Sequence, residues 1–156
     1  MADGMEGIDV VAVTAWFADR IENLVTPLKF ELLAGGHSNL TYLVTDGAGR
    51  SYVLRRPPLG HVLQSAHDMG REHKIISALQ GSSVPVATTV DLCTDHSVND
   101  APFYVMDYVA GPVLHDHDAA ADLSEDNRES LGLHVIDVLS ALHKICLLYT
   151  SDAADD

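Results

Sequence analysis

Basic residues are scarce in this chain: nine lysines and arginines stand against 23 aspartates and glutamates, for a formal net charge of −14. Nucleic-acid binding needs a basic face, so no nucleic-acid partner is expected. Cysteine is scarcer still. Cys93 and Cys146 alone support neither a disulfide framework nor a zinc site, and a reducing, cytoplasmic location is the default expectation. No apolar run approaches the roughly 20 residues that span a bilayer. The start, Met1-Ala2-Asp3-Gly4-Met5-Glu6-Gly7, lacks the basic region and apolar core of a signal peptide, so no membrane partner is expected either. Also missing are internal repeats, low-complexity tracts, a Walker P-loop, a nucleophile elbow and a paired-carboxylate motif, which leaves most enzyme classes without support.

What is present is enough apolar residue, 47% of 156, to build the core of one domain or of a lobe with flanks. The most informative stretch is Gly35-Gly36-His37-Ser38-Asn39-Leu40-Thr41-Tyr42-Leu43-Val44, followed by Tyr52-Val53-Leu54-Arg55-Arg56. Two glycines let the backbone approach a polyanion, Ser38 and Asn39 add donors, and the next strand can aim Arg55 inward. A triphosphate would suit such a place, although glycine pairs before strands are more often plain turns. Arg50, Arg55, Arg56, Arg71 and Lys74 also fall in this one segment, a positive island in an acidic chain, with Arg50 and Lys74 read as ordinary surface charge.

Pro57-Pro58 ends the strand. A helix is then expected over residues 65–81, with Ser65 as N-cap and Met69, Ile75, Ile76 and Leu79 apolar. Glu72 on that helix could face Arg55 and hold its guanidinium as a charge-assisted pair. Strands follow at Thr89 to Cys93 and Phe103 to Val109, separated by a polar turn from Asp95 to Asp100. Upstream, Val10, Val13, Trp16, Phe17, Ile21 and Leu24 give Asp9 to Leu24 the period of an amphipathic helix. Downstream, Ser124 caps a helix from about Glu125 to Ile145, and Leu131, Val135, Val138, Leu139 and Leu142 form its apolar stripe. The alternation His115-Asp116-His117-Asp118 reads as a solvated acidic linker rather than a metal site.

These pieces resemble the aminoglycoside phosphotransferase and choline kinase superfamily, and most closely the phosphotransferase-like domains fused to some acyl-CoA dehydrogenases. The resemblance is carried by Gly35-Gly36-His37-Ser38-Asn39, Tyr52-Val53-Leu54-Arg55-Arg56-Pro57-Pro58, Ser65-Ala66-His67, Arg71-Glu72-His73, Val84-Pro85-Val86 and Pro102-Phe103-Tyr104-Val105-Met106-Asp107-Tyr108-Val109-Ala110-Gly111. It implies an α+β fold: a protein-kinase-like small lobe with an antiparallel sheet of about five strands and one helix. An N-terminal helix would precede this lobe, and the first helix of a truncated large lobe would follow. The implied divisions are residues 1–28, an N-terminal extension; 29–111, the small lobe; and 112–145, a linker and the start of the large lobe.

The resemblance also implies roles. Gly35, Gly36, Ser38 and Asn39 would lie over the nucleotide phosphates, Arg55 would stand where kinases commonly carry a lysine, and Glu72 would orient it. Met106, Asp107 and Val109 would form the hinge that meets adenine, with Met106 behind the ring. ATP is the implied cofactor, Mg2+ is expected only in the complete protein, and a small-molecule hydroxyl is the implied acceptor. Arginine for lysine keeps the charge and can grip phosphate with two donors at once, with a different geometry. No His-Gly-Asp motif, which would supply the catalytic aspartate, and no later acidic magnesium motif occur, so no catalytic residue is assigned and this chain by itself is expected to be inactive. Residues 146–156 resemble translated sequencing adapter, so the native chain is expected to run to about Ile145. Two functions follow: the nucleotide-binding lobe of an ATP-dependent phosphotransferase, or a non-catalytic nucleotide-binding or interaction module associated with a metabolic enzyme.

Overall fold

A computed structural model describes residues 5–34, 39–60, 67–114, 120–121 and 123–145. The chain divides into two units, Met1–Ala78 with Ala87–Tyr108, and Leu79–Val86 with Val109–Asp156.

In the first unit, helix α1 (Val10–Arg20) begins where the Asp9 carboxylate accepts from the amides of Val11 and Ala12, at 3.1 and 3.0 Å. Val13, Trp16 and Phe17 recur at helical spacing and are its buried face. Five strands follow: β1 (Lys29–Ala34), β2 (Leu40–Thr45), β3 (Ser51–Arg56), β4 (Thr89–Cys93) and β5 (Phe103–Asp107). They form one antiparallel sheet in the order β1-β2-β3-β5-β4. β5 therefore slots in beside β3 and opposes Arg55 with Tyr104.

The β2–β3 hairpin closes on Asp46, whose Oδ1 accepts from the amides of Ala48 and Arg50, both at 2.9 Å, while Arg50 Nε donates to Oδ2 at 2.8 Å. Gly49 supplies the left-handed residue of this turn at φ +86°. One face of the sheet meets α1. Trp16 lies edge-on to Phe103 at 4.9 Å between ring centroids, and Phe17 edge-on to Tyr52 at 5.9 Å. Tyr42, Val44, Leu54 and Val105 complete this core, all of them 1% exposed or less.

Two elements differ from the sequence reading. The segment read as a polar turn contains a short helix, α3 (His96–Asn99 in the chain, placed between β4 and β5), capped by Asp95, whose Oδ1 accepts from Ser97 N at 2.8 Å. A single capped turn is too short to show a hydrophobic period. The last strand stops at Asp107 rather than Val109, and Tyr108 and Val109 beyond it are exposed. Helix α2 (Met69–Leu79) has its first turn capped by Asp68, whose Oδ1 accepts from Arg71 N at 2.9 Å; Ser65 lies outside the described residues.

In the second unit, helix α4 (Glu125–Lys144) starts at Ser124, whose hydroxyl accepts from Asn127 N at 3.3 Å. Leu131, Val135 and Leu139 of its apolar stripe are 41%, 51% and 48% exposed, and none of its residues is buried. Among the described residues, no helix is long and apolar enough to cross a membrane.

Candidate functional site

Strand alternation decides what the two arginines at the end of β3 do. Successive side chains point to opposite faces, so Arg55 and Arg56 part company. Arg56 is buried and donates to the carbonyls of Gly7 and Pro57, pinning the segment before α1. Burial pushes its guanidinium below its ordinary value, with Asp100 opposing. Arg50 is spent on Asp46 and on the carbonyls of Glu22 and Asn23. The positive island of the sequence is thus dispersed in space, and among these three arginines only Arg55 faces α2.

Arg55 Nη2 lies 3.6 Å from Glu72 Oε2, with the two side chains 33% and 30% exposed. The pair expected from the sequence is therefore in place, although 3.6 Å is an ion pair rather than a tight hydrogen bond. Glu72 has two closer partners. Asn39 Nδ2 donates to its Oε1 at 2.6 Å, and the Tyr104 hydroxyl donates to its Oε2 at 3.1 Å. His67 Nδ1 stands 2.7 Å from Asn39 Oδ1, and the His73 ring is tilted against Tyr104 at 6.1 Å. Burial pushes the Tyr104 hydroxyl up to about 12; Arg55 opposes the shift and Glu72 adds to it. Arg55 Nε is buried and has no hydrogen-bond partner among the described residues.

The other residues expected at the site fall as follows. Gly35, Gly36 and Ser38 lie outside the described residues, as do His115 to Asp118. Asn39 is buried, and its amide engages Glu72 and His67 rather than standing free as a donor. Met106 and Asp107 pair with Val53 and Tyr52, and the Asp107 amide donates to the Thr88 carbonyl at 2.8 Å. Val109, in the second unit, is 71% exposed. Among the described residues, no three histidines, cysteines or acids gather as metal ligands.

Tyr104 and His67 were given no role by sequence reasoning. The signal for Tyr104 was its parity with Arg55 across two paired strands, which is visible only once the β3–β5 register is known. A cavity of about 990 Å3 opens beside Arg56, His67, Met69 and His96, and neither Arg55 nor Glu72 lines it. Size alone does not make it the chemical centre, because its one arginine is occupied by backbone carbonyls.

A strand arginine paired with a helix glutamate, on a sheet of this order, is the arrangement of a kinase-like small lobe, and residues 29–151 match the model of the phosphotransferase enzyme family. The chain belongs to that family. It is 37% identical over 125 residues to acyl-CoA dehydrogenase family member 10 of Mus musculus, covering 80% of this chain and 12% of that protein. It is 36% identical over 110 residues to acyl-CoA dehydrogenase family member 11 of Mus musculus, covering 70% of this chain and 14% of that one. A crystal structure from Ralstonia eutropha, assigned as an aminoglycoside phosphotransferase, superposes with a TM-score of 0.72 at 30% identity, over 92% of this chain and 40% of the other. The chain therefore spans well under half the length of these relatives. The phosphotransferase family fold is that of the kinase-like lobe, and the five-stranded sheet with α2 reproduces it.

Proposed function

We propose that this chain is the nucleotide-binding lobe of an ATP-dependent phosphotransferase that acts on the hydroxyl of a small molecule. The observation that carries the proposal is the Arg55–Glu72 pair. A guanidinium is held 3.6 Å from a helix carboxylate, with a buried Nε that no described group satisfies. The guanidinium is one-third exposed and held by Glu72, and an arginine can grip phosphate with two donors. At the strand end, the Asp107 amide is taken by Thr88, so the Asp107 carbonyl is the group proposed to meet the adenine edge, with Met106 behind the ring.

Bound ATP with magnesium would supply the transferable phosphoryl group. The catalytic aspartate and the magnesium ligands are assigned to sequence beyond the described residues, and this chain by itself is proposed to be inactive. The names of the acyl-CoA dehydrogenase relatives favour a hydroxyacyl thioester as acceptor, by analogy alone. A catalytically silent nucleotide-binding module partnering a metabolic enzyme is the second reading; a complete gene without a His-Gly-Asp motif would favour it.

The test is binding of a fluorescent nucleotide, trinitrophenyl-ATP, to the 156-residue chain, with displacement by ATP. Arg55→Ala is expected to weaken binding by about tenfold or more, the value of a charge-assisted phosphate contact. Equal binding by wild type and Arg55→Ala would remove the assignment. Turnover of ATP by the chain would overturn its proposed inactivity.

A further inference from the structure

The closest contact to Glu72 is made by neither arginine but by Asn39, at 2.6 Å. An ionised carboxylate only accepts hydrogen bonds, so the Asn39 amide must turn its NH2 toward Glu72. Its carbonyl oxygen then faces His67 Nδ1 at 2.7 Å, and that nitrogen must carry the proton. The acceptor and one donor of the Asn39 side chain are thereby consumed inside the protein. Asn39 is 7% exposed. It directly follows residues 35–38 in the chain and directly precedes β2.

We propose that Asn39 is a positioning residue: through Glu72 it ties the start of β2 to α2, and His67 fixes which way its amide points. One carboxylate then sets two things at once, the place of the residue that leads into β2 through Oε1 and the aim of Arg55 through Oε2. Tyr104 donates to Oε2 from below and stops the carboxylate from rotating away. Asn39 therefore acts on a bound nucleotide through Glu72, not by touching phosphate. This proposal rests on the nucleotide-lobe reading for its ligand, but the latch itself is a property of the protein.

Two mutant cycles test it, each read both as trinitrophenyl-ATP affinity and as the midpoint of thermal unfolding. In the first, Asn39→Ala is expected to weaken the nucleotide analogue about tenfold, as loss of a hydrogen bond to a charged group implies. Added to Glu72→Ala, it is expected to cost nothing further, because both changes cut the same link. In the second, Asn39→Asp sets two carboxylates face to face and is expected to bind at least as weakly as Asn39→Ala. Adding Glu72→Gln restores an N–H donor across the gap and most of the affinity. The proposal is overturned if Asn39→Ala leaves affinity unchanged, if its loss multiplies in full with that of Glu72→Ala, or if Glu72→Gln fails to rescue Asn39→Asp. An Asn39→Asp chain that unfolds and is not recovered by Glu72→Gln overturns it as well. If wild type and Arg55→Ala bind the analogue equally, the nucleotide reading fails alone. The unfolding midpoints then decide the latch, non-additive shifts supporting it and additive shifts refuting it.

Discussion

Replacing Tyr104 by phenylalanine removes one oxygen from a side chain that is fully buried, leaves the ring in its place on β5, and takes a donor from Glu72 Oε2 at 3.1 Å. Hydrogen bonds to charged groups contribute about 1.5–3 kcal/mol. Glu72 is 30% exposed and keeps Asn39 and Arg55, so the loss falls below that range, at about 1 kcal/mol. For a chain of this size, that lowers the thermal midpoint by about 2–4 °C near neutral pH.

The order reverses in alkali. The hydroxyl is pushed from 10.0 up to about 12, and a raised pKa means that the folded state holds the proton more tightly. The associated stability is fully present below pH 10 and is lost as pH rises through about 12. A rise of about two units corresponds to roughly 3 kcal/mol, more than the hydrogen bond is worth at neutral pH. The Phe variant has no phenolate to bury. Wild type should therefore be the more stable below pH 10 and the less stable near pH 12, so the two curves of midpoint against pH cross. Other groups titrate alike in both chains and cancel in the difference. Parallel curves, or an ultraviolet titration in which every tyrosine ionises near 10, would refute the assignment of Tyr104 as the buried donor.

Acid should act on the β2–β3 turn. Burial alone would raise Asp46, but hydrogen bonds from Arg50, Ala48 and Val25 hold it below 3.8, so its contribution is present above that pH and fades as pH falls further; Asp46→Asn should flatten the acid limb of the unfolding curve, and an unchanged limb would show the turn to be incidental. Phe17→Ala opens a hole under α1 and should cost about 3–5 kcal/mol in urea unfolding; a cost below about 1 kcal/mol would mean that α1 does not pack on the sheet. Arg20→Ala removes a surface ion pair to Asp91 at 2.7 Å and a guanidinium 4.3 Å over Trp16, and should cost no more than about 1 kcal/mol in the same assay. Arg55→Ala should leave the fold intact by circular dichroism while weakening nucleotide-analogue binding about tenfold.

Much of the molecule was legible in the residues because local chemistry decided it. Asp9 before an apolar period of 3.6 specified α1, Ser124 before Glu125 specified α4, and the apolar runs at residues 40–44 and 52–54 specified two strands. Glycine pairs, Pro57-Pro58 and a helix glutamate in the right order were enough to imply the family and the partnership of Arg55 with Glu72. These are short-range signals, each read within a turn or two of the chain.

Sequence could not say which of five nearby cations would stand together, since that depends on strand parity and on what lies across each face. Arg56 turned toward Gly7 and Arg50 toward Asp46, and only the folded sheet separated them from Arg55. Nor could it reveal that β5 inserts beside β3, the long-range pairing that sets Tyr104 opposite Arg55 and under Glu72. Asn39, His67 and Tyr104 come from three separate segments and share no local pattern, so the placing of Asn39 and Tyr104 on one carboxylate, with His67 on Asn39, is a tertiary fact. Propensity and periodicity act over a few residues and wrote the elements; the directed hydrogen bonds around Glu72 depend on register between distant strands, and only the packed structure fixed them.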